Sequence, residues 1–130
     1  MSHFESTRRS AAPQEAAPDG SRVRPLARLP GVSVAEFELG PRQTSRAVVH
    51  RAIEEIWYVV AGRGELWRRH GAREETVALE PGLCLTIPRG TQFQFRAQGE
   101  EALRVLGVSL PPWSGDGEAV PVDGPWASTT

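Results

Sequence analysis

The sequence predicts an all-β domain, either a sandwich or a barrel. From Pro25 onward, short segments rich in β-branched and aromatic residues recur roughly every ten residues. Glycine and proline separate these segments, as expected for turns between strands. The clearest segment is VSVAEFEL, residues 32–39, where apolar and polar residues alternate as in a strand with one buried face. No segment shows a long helical period, so eight or nine short strands account for the pattern.

The remaining strands are predicted in chain order from the same signals. We expect them at residues 46–51, 55–61, 65–69, 75–80, 83–88, 92–97 and 102–110. The glycines of Gly62-Arg63-Gly64 predict a tight turn that makes a hairpin of two consecutive strands. His70-Gly71 predicts a further turn, which leaves His70 in solvent.

The two ends of the chain differ in composition from its middle. Residues 1–24, which include His3, are rich in alanine, proline, serine and charge, so they predict a disordered tail. Residues 25–112 form the predicted barrel. Residues 113–130 are irregular, but Trp113 and Trp126 predict that this tail packs on or near the barrel, because exposed tryptophan is unfavourable. The alternative is a loose tail with incidental aromatic residues.

Composition excludes several function classes. The net charge of −1 gives no overall field towards nucleic acid or an anionic membrane, so neither is an expected partner. Cys84 is the single cysteine, so no internal disulfide forms, and its apolar surroundings predict a buried, inert thiol. No apolar run approaches the roughly 20 residues of a membrane span, and the first residues lack the apolar core of a signal peptide. We therefore expect a cytoplasmic protein.

Two half-motifs in the chain resemble the cupin superfamily. The first cupin motif is Gly, five residues, His-x-His, three or four residues, Glu, six residues, Gly, and HRAIEEIWYVVAG at 50–62 matches its second half. The second motif is Gly, five residues, Pro-x-Gly, two residues, His, three residues, Asn, and GLCLTIPRG at 82–90 matches its first half. The resemblance covers about residues 25–110 and implies an antiparallel jelly-roll β-barrel.

The positions that bind metal in this family are largely replaced here. The resemblance implies a ligand set of three histidines and one glutamate. Val48 and Phe93 occupy two of the histidine positions, and Ala97 occupies the asparagine position of the second motif. Only His50 and Glu55 remain, and two protein ligands make a weak site. We therefore expect no metal cofactor, with a divalent metal held by His50 and Glu55 as the alternative.

Strand alternation and the resemblance together predict a small-molecule pocket. By strand alternation, residues 46, 48 and 50 share one strand face, and residues 55, 57 and 59 share a face of the next strand. The resemblance implies that residues 93 and 95 also face the interior. Apolar walls with a few polar groups are typical of a ligand site. The predicted ligand-binding residues are Arg46, Val48, Trp57, Val59, Phe93 and Phe95, and the predicted catalytic residues are His50 and Glu55.

Three functions stay open for this pocket. In the first, His50 and Glu55 transfer protons in a metal-independent isomerase or cyclase, and Arg46 holds an acidic substrate. The second is a metal-dependent oxygenase with an unusual ligand set, and the third is a non-catalytic ligand-binding cupin. The structural alternative is that Glu55 only pairs with Arg46 or His50 inside the barrel.

The outward face of one strand predicts self-association. Ile56, Tyr58 and Val60 alternate with the inward residues of segment 55–61, so they point away from the core. Three neighbouring apolar side chains on a sheet surface need a cover. We expect a homodimer unless another part of the same chain supplies that cover.

Overall fold

A computed structural model describes residues 4–114 and 117–130 of the chain. Within those residues the predicted fold is confirmed: the chain is an antiparallel jelly-roll β-barrel made of two sheets. Helical structure in the same residues is limited to one 3₁₀ turn, Arg9–Ala11. His3, assigned to the predicted tail, lies outside the described residues. Among the described residues, none forms a helix of the length and apolarity needed to cross a bilayer.

The strands divide between two sheets. In chain order they are β1 (Glu15–Ala16), β2 (Arg22–Leu29), β3 (Val32–Leu39), β4 (Val48–His50), β5 (Glu54–Ala61), β6 (Arg63–His70), β7 (Arg73–Leu79), β8 (Cys84–Ile87), β9 (Gln92–Gln98), β10 (Leu103–Leu110) and β11 (Ala119–Pro121). The first sheet has the order β1-β2-β3-β10-β5-β8, and the second has the order β11-β4-β9-β6-β7. Strand β3 matches the prediction from alternation at both ends.

The predicted hairpin at Gly62 is wrong. Strand β5 pairs with β10 and β8, whereas β6 pairs with β7 and β9, so the chain crosses from one sheet to the other at Gly62. Gly62 has φ of 83°, and its Cα lies against the backbone of Ala102 and Leu103, where a side chain would not fit. Glycine suits this close crossing as well as it suits a hairpin turn, so the glycines at 62 and 64 alone do not identify the strands that pair with β5. The turn at His70-Gly71 is confirmed, since it joins the paired strands β6 and β7.

The barrel begins earlier than predicted. Residues 15–16 pair with the start of β2, and Ala17 and Val23 belong to the hydrophobic core. On the outer face of β3, Arg9 Nε donates to both carboxylate oxygens of Glu36, at 3.0 and 2.9 Å. Strand pairing and this ion pair hold the N-terminal segment against the barrel, although that segment has no hydrophobic period of its own. The boundary predicted between tail and barrel, after residue 24, is corrected accordingly.

Inward residues of the two sheets form one core. Trp57, Phe93 and Phe95 are its largest fully buried side chains. Strand β8 contributes alternate residues, so Leu85 and Ile87 are buried while Cys84 is exposed on the outer face. The expectation of a buried thiol is therefore wrong, because the two-residue period of a strand outweighs the apolar composition of the segment.

The Gly107 position predicts how tightly this core is packed. A Cβ added at Gly107 would lie 2.5 Å from Cε2 of the buried Phe37 ring, which stacks on Trp57. We expect Gly107→Ala to lower the free energy of unfolding by about 1–3 kcal/mol, because the new methyl group would displace a ring that packs against Trp57 and Trp113. Denaturant titration followed by tryptophan fluorescence measures the change. Gly31→Ala is the control, since a Cβ there has no neighbour within 4 Å. Equal midpoints for the two variants would contradict the expectation.

Candidate active site

His50 and Glu55 meet inside the barrel. His50 is the last residue of β4 and Glu55 is the second residue of β5, and residues 51–53 connect the two strands. The turn brings His50 Nε2 to 3.5 Å from Glu55 Oε1. Both residues are buried, with 5% and 3% of their surface exposed. At this distance the two groups are close enough to form a tighter hydrogen bond after a small movement.

Two further donors hold the Glu55 carboxylate. Trp57 Nε1 donates to Oε1 at 3.2 Å, and Ser109 Oγ donates to Oε2 at 2.9 Å. Trp57 is two residues further along β5 and faces the same way, while Ser109 is the cross-strand partner of Glu55 on β10. Both oxygens are therefore engaged, which fixes the orientation of the carboxylate.

The His50 imidazole lies between aromatic rings and a second carboxylate. Its ring stacks on Phe93 at a centroid distance of 5.4 Å, and the edge of Trp113 lies 5.9 Å away. Nδ1 is buried and lacks a hydrogen-bond partner among the described residues. Glu118 Oε1 is 4.0 Å from Nδ1 and accepts the backbone N–H groups of Ala52 and Ile53, both at 2.7 Å. Glu118 thus stabilises the turn that positions His50.

A buried aspartate reaches the same cavity from the N-terminal segment. Asp19 Oδ1 accepts hydrogen bonds from Ser21 Oγ at 2.6 Å and from Ser21 N at 2.9 Å. Burial raises the pKa of Asp19, the Ser21 hydrogen bonds lower it in part, and the nearby Glu55 carboxylate raises it further. The net effect is a carboxyl group that keeps its proton to a higher pH than an ordinary aspartate.

These groups surround a small internal cavity. The volume open to the centres of water molecules is about 10 Å³, which is room for one water. Its wall comes from the barrel strands and from both terminal segments. The lining residues are Ala17, Pro18, Asp19, Phe37, Val48, His50, Glu55, Trp57, Phe93, Trp113 and Ala119.

Three residues predicted to bind ligand do not line this cavity. Arg46 is exposed and its Nη1 donates to the carbonyl of Pro18 at 3.2 Å, because β4 begins only at Val48 and the assumed alternation does not extend back to residue 46. Val59 and Phe95 are fully buried deeper in the core, where the Phe95 ring packs on Trp57 at 4.9 Å. The cavity therefore differs from the predicted pocket at these three positions, and ligand binding by them stays a prediction.

Sequence reasoning missed the contributions of the terminal segments. Pro18-Asp19-Gly20 is a turn signature, and Gly20 has φ of 87°, so a turn was detectable but its burial was not. Trp113 did carry a signal, since a tryptophan in an irregular tail favours packing. Glu118 carried none, because its role depends on the pairing of β11 with β4.

The residues present do not fit the metal centre that the family resemblance implies. Val48 and Phe93, which occupy two of the histidine positions, are direct cross-strand partners on β4 and β9. Both Glu55 oxygens already accept hydrogen bonds. No three histidine, cysteine, aspartate or glutamate side chains of the described residues are grouped so as to hold a metal ion. The His50 and Glu55 pair alone falls short of the three protein ligands that a catalytic metal usually keeps.

Comparison with protein families decides the identity of the fold. The family described as "Cupin domain" matches residues 35–109, more than half of the chain. This chain belongs to the cupin family. Among proteins with curated descriptions, none matches the sequence of this cupin significantly.

Solved structures share the fold of this cupin at low identity. KdgF from Halomonas sp. is 18% identical with a TM-score of 0.72, over 84% of this chain and 94% of KdgF. Pac13, a nucleoside dehydratase, is 12% identical with a TM-score of 0.71, over 93% of this chain and 92% of Pac13. A variant of the oxalate decarboxylase OxdC from Bacillus subtilis is 14% identical with a TM-score of 0.75, over 94% of this chain and 33% of OxdC.

The raised pKa of Asp19 predicts a pH-dependent stability. Above the ordinary aspartate pKa of about 3.9, the unfolded chain ionises while folded Asp19 keeps its proton. The free energy of unfolding therefore falls as the pH rises from that value to the raised pKa of Asp19, by up to about 1.36 kcal/mol for each pH unit. We expect Asp19→Asn to remove this loss, because the amide oxygen still accepts from Ser21 and carries no charge. Urea titrations across acidic to neutral pH measure it.

The control for this experiment is Asp123→Asn, which changes an exposed aspartate. It should retain the pH dependence of the unchanged protein. An Asp19→Asn variant whose stability follows the same curve as Asp123→Asn would contradict the effect attributed to burial.

Proposed function

We propose that this cupin binds a small, mostly apolar molecule around His50 and moves a proton on it with His50 and Glu55. The observation that carries the proposal is the buried contact between His50 Nε2 and Glu55 Oε1, beside a second imidazole nitrogen without a partner. Isomerisation and cyclisation are the reaction classes that such a pair serves without a metal.

The contacts of the imidazole assign a role to each nitrogen. The Glu55 oxygen beside Nε2 favours the tautomer that carries its proton there. Nδ1 then presents a lone pair, and it is the atom that would accept a proton from a bound molecule. Leaving such a buried nitrogen unpaired costs about 1–3 kcal/mol, which a ligand donor at Nδ1 would offset. Asp19, which burial keeps protonated to higher pH, would supply an acid on the same cavity.

Room for the ligand would come from the terminal segments. The cavity holds about one water, so a larger molecule must displace part of its wall. Residues 17–19 and Trp113 line the cavity and lie outside the strands. Displacing them would leave the strand pairing of the barrel intact.

The likeness to Pac13 is compatible with this reading. Pac13 is a nucleoside dehydratase, and variants of it from Streptomyces have been solved with uridine. A cupin domain of nearly the same length therefore forms an enzyme, Pac13, that acts on a small molecule. For this chain we propose a ligand of similar size.

We also propose that the protein is cytoplasmic, because its single cysteine is an exposed free thiol and the cytoplasm keeps such thiols reduced.

The catalytic proposal is tested once a ligand is found by thermal-shift screening with a library of small metabolites. Product analysis by NMR should then show conversion. We expect His50→Gln and Glu55→Gln to lower turnover by about 100- to 10,000-fold, the usual contribution of a general acid or base. Glu54→Gln is the matched control, because Glu54 is the neighbouring carboxylate and is exposed. It should keep full turnover.

Other outcomes of that experiment decide between functions. Full turnover in both His50→Gln and Glu55→Gln would overturn the proposed role of the pair. A ligand that stabilises the protein but is never transformed indicates a non-catalytic binding cupin. Elemental analysis of untagged protein, with turnover measured before and after chelation, addresses the oxygenase alternative. Near-stoichiometric iron, manganese, nickel or zinc together with loss of turnover on chelation would establish that alternative.

We also propose a homodimer through the outer face of β5. Ile56, Tyr58 and Val60 are exposed at 42%, 47% and 43%, so within the described residues this chain supplies no full cover for them. Leu110 on the adjacent strand β10 extends the apolar surface and is 39% exposed. An apolar patch of this kind is typical of an association surface.

Light scattering tests the dimer. The unchanged protein should have twice the mass of one chain, and Ile56→Glu with Tyr58→Glu should have the mass of one chain, because two buried carboxylates would face an apolar partner. Ala78→Glu is the control, since Ala78 is exposed on the other sheet. A monomeric mass for the unchanged protein contradicts the proposal.

A further inference from the structure

A second, larger cleft lies at one end of the barrel. It has a volume of about 300 Å³ and is bordered by the end of the β6–β7 hairpin and by the β8–β9 connection. The cleft shares no lining residue with the cavity around His50. Arg68 is the cross-strand partner of Phe93, so the two side chains project from the same face of the second sheet, and each lines one of the two sites.

One arginine of the cleft donates a hydrogen bond within the protein from each of its three nitrogens. Arg68 donates from Nε and Nη2 to Glu75 Oε1 at 3.0 and 2.6 Å, and from Nη1 to the carbonyl of Thr86 at 2.6 Å. These bonds tie β6 to both β7 and β8 and hold one wall of the cleft. Because Glu75 neutralises Arg68, this pair contributes shape to the cleft and little net charge.

Two more arginines of the cleft keep most of their donors. In the part of the chain that the structure describes, Arg69 makes one hydrogen bond, from Nε to the carbonyl of Gly71 at 3.5 Å. Arg73 makes none within the same residues, although after Arg68 it helps to lower the pKa of the Glu75 carboxyl. Both line the cleft, and His70 lies between them in sequence with Nε2 3.2 Å from the carbonyl of Arg89. The lining of the cleft therefore holds three arginines and one carboxylate, Glu75, so its net charge is positive.

An unpaired hydroxyl lies in the wall of the same cleft. Thr91 is 2% exposed, and its Oγ1 is buried without a hydrogen-bond partner among the described residues. Buried polar atoms are nearly always paired, with protein or with ordered water, so this hydroxyl keeps its hydrogen-bonding capacity for a partner that enters from the cleft. This observation is independent of the arginines.

We propose that this cleft binds a small oxyanion, the phosphate or carboxylate group of a metabolite, through Arg69, Arg73 and the Thr91 hydroxyl. The guanidinium group presents a planar fork of donors that matches both kinds of anion. A hydroxyl adds one further donor whose hydrogen rotates to suit the ligand. The site is separate from the chemistry at His50 and stands without it.

Calorimetric titration at constant ionic strength tests the site, with inorganic phosphate in one arm and malonate in the other. We expect saturable binding in the millimolar range or tighter for at least one anion. The double variant Arg69→Gln with Arg73→Gln should weaken it by at least about tenfold, since charge-assisted hydrogen bonds are lost. Thr91→Val, which removes an unpaired hydroxyl, should weaken binding a few-fold and leave the thermal unfolding temperature unchanged or higher.

The control is Arg42→Gln with Arg63→Gln, which removes the same charge from exposed arginines that pair with Glu100 and Glu80. Binding should survive in this control. Phosphate binding alone identifies a phosphoryl ligand, malonate binding alone identifies a carboxylate ligand, and both together identify a general oxyanion site. No saturable binding of either anion overturns the proposal. An equal loss in the two double variants overturns it as well, because it reports net charge alone.

Discussion

The buried carboxylate of Glu55 organises the interior of this cupin. Its oxygens accept from Trp57 on its own strand and from Ser109 on β10, and His50 on β4 lies beside it. A buried carboxyl group needs such partners, since leaving one of its oxygens without a hydrogen bond costs about 1–3 kcal/mol. Glu55 therefore links strands from both sheets at the point where the candidate chemistry lies. The orientation of the imidazole depends on the same contacts.

Both ends of the chain complete what the barrel strands begin. Asp19 from the N-terminal segment and Trp113 from the C-terminal segment line the cavity, and Glu118 supports the turn between β4 and β5. These contacts span most of the chain length. The walls of the cavity are thus of two kinds: residues of the strands, and residues 17–19 and Trp113, which lie outside the strands.

Local pattern predicted the strands, and two spaced half-motifs predicted the family. Alternation located β3 at both ends, because a half-buried strand leaves a period of two in the sequence. His50, Glu55 and Phe93 line one interior cavity, where strand alternation and the resemblance placed them, and their part in binding or catalysis stays a prediction. Arg46 was misplaced because alternation was extended beyond the true start of β4. Asp19 was missed because its burial depends on a long-range contact with no local period.

The direct pairing of Val48 with Phe93 has an evolutionary consequence. Each side chain fills space that its partner leaves, so a histidine at one position alone would bury an imidazole against an apolar neighbour. With His50 and Glu55, however, that single histidine would make three protein ligands, the number that a catalytic metal usually keeps. One replacement in this wall, at the cost of desolvating a polar ring, is therefore enough to supply the number of ligands that a metal-binding barrel uses.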